Sequence, residues 1–366
     1  MKLTWIKNNF ICKDLYAPFI LDRDEEYLND LSKKYNIILK QAIEAGADEE
    51  SIKIIKKYKK KIRESLKCYY RADMVRSNSI IRNLLKDVGD NHFAVSNLDT
   101  SCAFAGDSND EIQFFRCRTG NPSNSFSARE MMYLPISLRS KSGNYRFSIP
   151  GNPSLYLANS SYGCWVETGF PADIDFNVSP VLLDGKQKIL NLVVGIRDFS
   201  ELNELEDTKI HIWLKLLMLM IATSYRIKES NRTFKSEYII SQSIMMACKK
   251  LEYDGIAYYS KRVADEAFAR SAINLVLFVD YENEDKGIAR HMKIDDAFNY
   301  SVYKNLLTSL KVESYNLRSI RTPFINNIGS YDRQYPYRET EFCKFDQFLF
   351  SSWYKKRMEK KIRKSK

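Results

Sequence analysis

Histidine is scarce in this chain: three among 366 residues, at positions 92, 211 and 291. Spaced so widely, they offer neither a local metal cluster nor a Cys-His pair. The seven cysteines (12, 68, 102, 117, 164, 248 and 343) never stand as CxxC. An odd, scattered set is neither a disulfide framework nor a zinc site, and it fits a reducing compartment. GxGxxG, GxxxxGKS/T and GxSxG are all missing, so dehydrogenase, kinase-like ATPase and serine-hydrolase readings have no support. The longest apolar run, IWLKLLMLMIA from Ile212, has a lysine inside it. A membrane span needs about 20 apolar residues, so a buried helix is expected there. The opening MKLTWIKNNFICKDLY lacks the apolar core of a signal peptide. The expectation is a cytoplasmic protein with no membrane contact.

What is present is an ample supply of core. Hydrophobic residues make up 44% and aromatics 13%, mostly tyrosine and phenylalanine, so disorder is excluded as the main state. Net charge is +11, from 57 Lys and Arg against 46 Asp and Glu. Part of the excess is local, in KKYKKKIR at 56–63 and in YKKRMEKKIRKSK from Tyr354. These read as a solvated helix face and a soluble tail. With no RNA-binding signature, nucleic acid is not expected as a partner.

Residues 1–90 read as a helical N-terminal domain. DRDEEYLNDLSKKYNIILKQAIEAG places Leu28, Leu31, Tyr35, Ile38, Leu39 and Ala42 on one stripe and stops at Gly46. The next helix has Asp48 as its N-cap and Ile52, Ile55, Ile62 and Leu66 inside, and a third runs from about Arg71 to Val88 before Gly89. The remaining apolar face is expected to dock on the rest of the chain or on a second copy. From residue 91 the texture changes to turn residues and short runs: IQFFRCR, SLYLA, KILNLVV, GIAYYS and NLVLFVD. Helical patterns lie between them near 161–169, 209–224 and 236–251, which predicts an α+β domain over 91–280. Residues 281–366 read as a C-terminal extension packing on that domain and ending in the basic tail.

YRFSIPGNPSLYLANSSYGCWVET, from Tyr145 to Thr168, reads as strand, turn, strand and helix. It carries Arg146, then Tyr156 ten residues on, then Glu167 eleven further. A plain hairpin beside a helix explains it as well as half of an active site does. Here the chain resembles the RES-domain proteins, named for arginine, glutamate and serine. Four segments carry the likeness in order. FFRCR holds Arg116, the quoted core holds Arg146, Tyr156 and Glu167, EYIISQSIMMACKKLEYDGIAYYS ends in Ser260, and NLVLF resembles the closing strand. The likeness covers about 113–280, with an echo in YRETEFCKFDQFLF. It departs from the family pattern at Tyr145, where glycine is usual, and at Tyr259, where proline is usual.

The resemblance implies an ADP-ribosyltransferase-like fold and an enzyme that degrades NAD+ at the nicotinamide–ribose bond, with phosphate or water as acceptor. It implies a toxin or antiphage effector, a cognate antitoxin or phage-derived trigger as partner, and a homo-oligomer as a further option. NAD+ would be substrate and inorganic phosphate a co-substrate, with no cofactor or metal. By the same resemblance Glu167, Arg146 and Tyr156 are catalytic, and Arg116, Arg146, Tyr156 and Ser260 bind substrate. Nicotinamide leaves as a neutral ring, so one carboxylate suffices where ordinary glycosidases need two. Glu167 would stabilise the oxocarbenium-like state, Arg146 would hold the diphosphate or phosphate, and Tyr156 would stack on nicotinamide. The alternatives are transfer of ADP-ribose to a macromolecule, or a non-catalytic RES-like binding module.

Overall fold

The structure, a computed structural model, describes residues 13–21, 26–89, 112–120, 125–183, 187–194, 207–229, 231–263, 272–281, 291–309, 327–330 and 333–351. In chain order the helices are α1 (Tyr27–Glu44), α2 (Glu49–Tyr70), α3 (Met74–Val88), α4 (Ser161–Glu167), α5 (Asp207–Thr223), α6 (Ile239–Lys250) and α7 (Tyr300–Ser309). A further helical stretch covers 341–351. The strands are β1 (Phe19–Ile20), β2 (Ile112–Thr119), β3 (Ser154–Ala158), β4 (Phe176–Leu183), β5 (Ile189–Leu192), β6 (Tyr225–Arg226), β7 (Gly255–Tyr259), β8 (Ile273–Phe278), β9 (Met292–Ile294), β10 (Phe298–Asn299), and the hairpin of β11 (Asn327–Ser330) with β12 (Arg333–Pro336). This α+β chain forms two compact units, each assembled from separated segments. The first comprises 1–93, 139–153 and 188–267, and the second 94–138, 154–187 and 268–366. A linear division at residues 90 and 280 follows the texture of the sequence; the compact units interleave along it.

In the first unit, α1 buries Tyr27, Leu31, Tyr35, Ile38 and Ala42, while Leu28 and Leu39 are half-buried. Asp48 caps α2, its carboxylate accepting the Ser51 amide at 2.8 Å. The α2 stripe is Ile54, Ile55, Tyr58, Ile62 and Leu66: Ile55, Ile62 and Leu66 are as expected, Ile54 and Tyr58 join them, and Ile52 is half-buried. α3 ends at Gly89, whose φ of +92° strains any residue with a Cβ. The apolar faces of α2 and α3 pack on α5 and α6 of the same unit. Two phenols of α1 reach α5: Tyr27 donates to the Ala222 carbonyl at 2.6 Å and Tyr35 to Met218 at 2.7 Å. Burial pushes both phenols well above their ordinary pKa. The helices of residues 26–89 are therefore built into a larger core.

α5 carries the long apolar run, with Leu214, Leu217, Met218, Leu219, Met220 and Ile221 all buried. Among the described residues no helix is long and apolar enough to cross a membrane. Two parallel strand pairs complete this unit: β1 with β6, and β5 with β7.

The second unit is built on an antiparallel sheet in the order β10-β4-β2-β3-β8, with β9 also on β4. Central β4, buried at every position, is absent from the expected strands. Pro180 argues against a central strand, because it cannot donate to a ladder. The structure places it where the outer edge of β4 changes partner, between Val178 facing β10 and Val181 facing β9. One face of this sheet carries Phe115, Ala158, Val178 and Leu182, covered by Cys164 of α4 and by Tyr300, Tyr303, Phe345 and Phe350. The basic run from Tyr354 lies outside the described residues.

Candidate active site

Glu167 is the last residue of α4, a seven-residue helix far too short to persist alone. Its ends are held from several directions. The Ser160 hydroxyl accepts the Gly163 amide at 2.9 Å, and Asp346 Oδ1 accepts the Ser161 amide at 3.0 Å. Thr168 Oγ1 donates back to the Cys164 carbonyl at 2.8 Å. Gly163 is needed for close approach to the sheet: a Cβ there would meet the Ala158 Cβ at 3.2 Å. So fixed, Glu167 accepts a hydrogen bond from Asn274 Nδ2 at 2.6 Å. Asn274 sits on β8 directly opposite Ala158, and Tyr156 is two residues earlier on β3, so Tyr156 shares this face. Asn274 was not among the expected site residues; one polar residue in the apolar run INLVLF was its only signal.

β2 and β3 meet at one register pair, Phe115 opposite Ala158. Beyond it the next β3 carbonyl on that side, Tyr156 O, accepts from Arg116 Nη1 at 2.9 Å. The strands thus part next to Glu167, with a guanidinium in place of a ladder bond. The Cys117 thiol, pulled down by its contact with Cys164, also feels the opposed charges of Arg116 and Glu167. The structure therefore puts Tyr156 and Glu167 on one face of the sheet in the second unit, with the Arg116 guanidinium reaching the Tyr156 carbonyl from a β2 position that faces the other way.

Alternation along β2 puts Arg118 on the same face as Arg116, opposite to that of Cys117. Ser179 of β4 stands directly across from Arg116. Arg116 Nε, Arg118 Nε and Ser179 Oγ are buried without a hydrogen-bond partner. Burial, and then the Arg116 charge, push the Arg118 guanidinium below its usual pKa. Buried donors that lack acceptors suit an anionic group. Arg118 also escaped the sequence reading, although FFRCR displays it beside Arg116.

Arg146 and Ser260 belong to the first unit. The expected first strand of the quoted stretch is a pair of tight turns, with isolated bridges Tyr145–Ser148 and Ile149–Asn152. Arg146 is buried there, donating from Nη1 to the Thr223 carbonyl and from Nη2 to that of Tyr225, both at 2.6 Å. It thereby caps the C-terminal end of α5, whose last carbonyls have no intrahelical partner. Arg146→Ala should cost on the order of 3 kcal/mol, roughly 6–12 °C in melting temperature, and Arg146→Lys should not restore it, lacking the planar fork. An unchanged melting temperature with a raised KM for NAD+ would make Arg146 a ligand instead. Ser260 is buried at the end of β7, its hydroxyl accepting the Arg262 amide at 3.1 Å.

Asp346, the anchor of α4, is fully enclosed, and burial pushes its carboxyl up to about 7. Hydrogen bonds from Ser161 and Tyr337 oppose the rise. A carboxyl whose folded pKa exceeds its unfolded value stabilises most at low pH, and that contribution fades as pH rises from about 4 through 7. Melting temperature should therefore fall between about pH 5 and pH 8 in the natural protein and fall less in Asp346→Asn. Parallel pH profiles for the two proteins would rule this out.

Among the described residues no group of three or more His, Cys, Asp or Glu could hold a metal ion. The RES domain family matches residues 114–299, which takes in every residue described at this site except Tyr337 and Asp346. A Bacillus subtilis (strain 168) protein named "Putative toxin YopC" is 35% identical over 164 residues, 41% of this chain and 37% of that protein. The chain thus aligns with just over a third of that relative's length. A crystal structure of the M. tuberculosis MbcT–MbcA toxin–antitoxin complex is similar at 14% identity and a TM-score of 0.32, covering 62% of this chain and 97% of the matched chain. The family match spans half of the chain and contains the arginine, tyrosine, glutamate and serine positions singled out from the sequence, so the chain belongs to the RES-domain family.

Proposed function

We propose that the protein degrades NAD+ by cleaving the nicotinamide–ribose bond, with phosphate or water as acceptor. The observation that carries this reading is the parting of β2 and β3, with Arg116 at the opening and Glu167 oriented by Asn274 beside it. In this reading the Arg116 guanidinium, in the gap between β2 and β3 and with its Nε lacking an acceptor, holds the diphosphate, and the scissile bond faces Glu167. As the C–N bond breaks, its electrons stay with nitrogen and neutralise the pyridinium ring. The Glu167 carboxylate stabilises the positive charge left on the ribose, and the acceptor oxygen closes on the same carbon. A water acceptor releases its proton to solvent. Tyr156 stacks on nicotinamide; for Ser260 the family resemblance alone implies a role toward substrate or acceptor. Arg146 serves by holding α5 and its following strand in place.

The biological setting we infer is that of a toxin or antiphage effector in the cytoplasm, restrained by a cognate antitoxin or released by a phage-derived trigger. Family membership and the toxin name of the B. subtilis relative support it. The test is incubation of purified protein with NAD+, with and without inorganic phosphate, and mass spectrometry of small molecules and protein. Phosphate-stimulated loss with an ADP-ribose phosphate ester identifies a phosphorylase. ADP-ribose alone at saturating phosphate identifies a hydrolase, and a mass gain on protein identifies a transferase. NAD+ that persists in every arm would overturn the reading.

A further inference from the structure

The basic run of α2 lines a cavity. A groove of about 550 Å³ lies along this helix, and Lys56, Lys60, Arg63, Lys67 and Arg71 line it at helical spacing. At 1.5 Å per residue the stripe is roughly 22 Å long. Glu64, the carboxylate in the lining, already accepts Lys61 at 2.9 Å and Arg76 at 3.0 Å. Among the described residues, Lys56, Lys60, Lys67 and Arg71 form no ion pair. Arg63 Nε is buried in the wall with no hydrogen-bond partner. Like charges at successive turns of one helix repel, which costs helix stability. A merely solvated face needs neither a concave wall nor a buried donor without an acceptor.

We infer that this groove is a docking site for an acidic, helix-forming segment of a partner protein. Carboxylates repeating every three or four residues along such a segment rise in step with the stripe on α2, and each meets a cation. The lining contains no aromatic side chain, so it provides no platform for the bases of a single strand. The groove shares no residue with the Arg116–Glu167 region, and the inference does not depend on the NAD+ reading. It gives the N-terminal helices a recognition role in addition to their place in the core.

The test uses the full chain and fluorescence anisotropy at about 50 mM salt, where exposed charges are little screened. The probes are a helical peptide of roughly 15 residues with glutamates every three or four positions, and a single-stranded oligonucleotide of equal charge. Lys56→Glu, Lys60→Glu and Lys67→Glu are combined in one variant. A control combines Lys40→Glu, Lys86→Glu and Lys250→Glu, which are exposed and outside the groove lining. All six positions are exposed, so both variants should keep the circular dichroism and melting temperature of the natural protein. The peptide should bind, and the groove variant should lose at least ~10-fold in affinity while the control loses under ~3-fold. No peptide binding, equal losses in the two variants, or tighter groove-dependent binding of the oligonucleotide would each overturn the inference.

Discussion

Glu167→Gln is expected to leave the fold intact and to lower NAD+ turnover by at least ~100-fold, the scale of one electrostatic contact in a water-poor site. Glutamine keeps the size of the side chain and an oxygen that can still accept from Asn274, at present 2.6 Å away. Only the negative charge is lost, and that charge opposes the developing positive charge on ribose. Asn274→Ala should reproduce part of the effect, because the carboxylate would stay charged and lose its orientation. NAD+ loss is followed by chromatography, with melting temperature as the control. Full turnover by a folded Glu167→Gln protein would falsify the assignment of this residue.

Removal of residues 1–90 is expected to abolish folding of the first unit. The segment contributes Tyr27, Leu31, Tyr35, Ile38, Ile55, Tyr58, Ile62, Leu66, Ile81 and Leu85 to the core, all almost wholly buried. At about 1.5–3 kcal/mol for each large side chain, the loss is in the tens of kcal/mol. A domain holds a net stability of only about 5–15 kcal/mol. The exposed flanks of α5 and α6 would present a broad apolar surface, so the truncated chain should aggregate or lose its cooperative transition. A soluble truncation with a sharp melt and unchanged kinetics would show that these helices are dispensable.

The helices of residues 26–89 were legible because period, cap and stop agree: apolar stripes, Asp48 at one start, Gly89 at one end. On α2 the stripe was legible at Ile55, Ile62 and Leu66, while Tyr58, an amphipathic residue, joins it in the core where only aliphatic residues were counted. β4 was hidden by Pro180, whose tolerance depends on a change of strand partner that no local pattern reveals. The sequence pattern of a strand followed by a helix ending near Glu167 was legible too. The partners of Arg146 were not legible, since the carbonyls it grips lie 77 and 79 residues further along the chain. Asn274 and Asp346 were missed for the same reason: each acts on α4 from a segment more than a hundred residues away.

The anchoring of α4 also sets an order of events during synthesis. Asp346, which accepts the Ser161 amide, is made 185 residues after that amide. At about 5–20 residues per second, the ribosome needs roughly 10–40 s to reach it. Through that interval the helix bearing Glu167 has its local caps at Ser160 and Thr168 but lacks this long-range anchor. The helix that bears Glu167 is thus completed by the last part of the described chain to be made, not by its own neighbours in sequence.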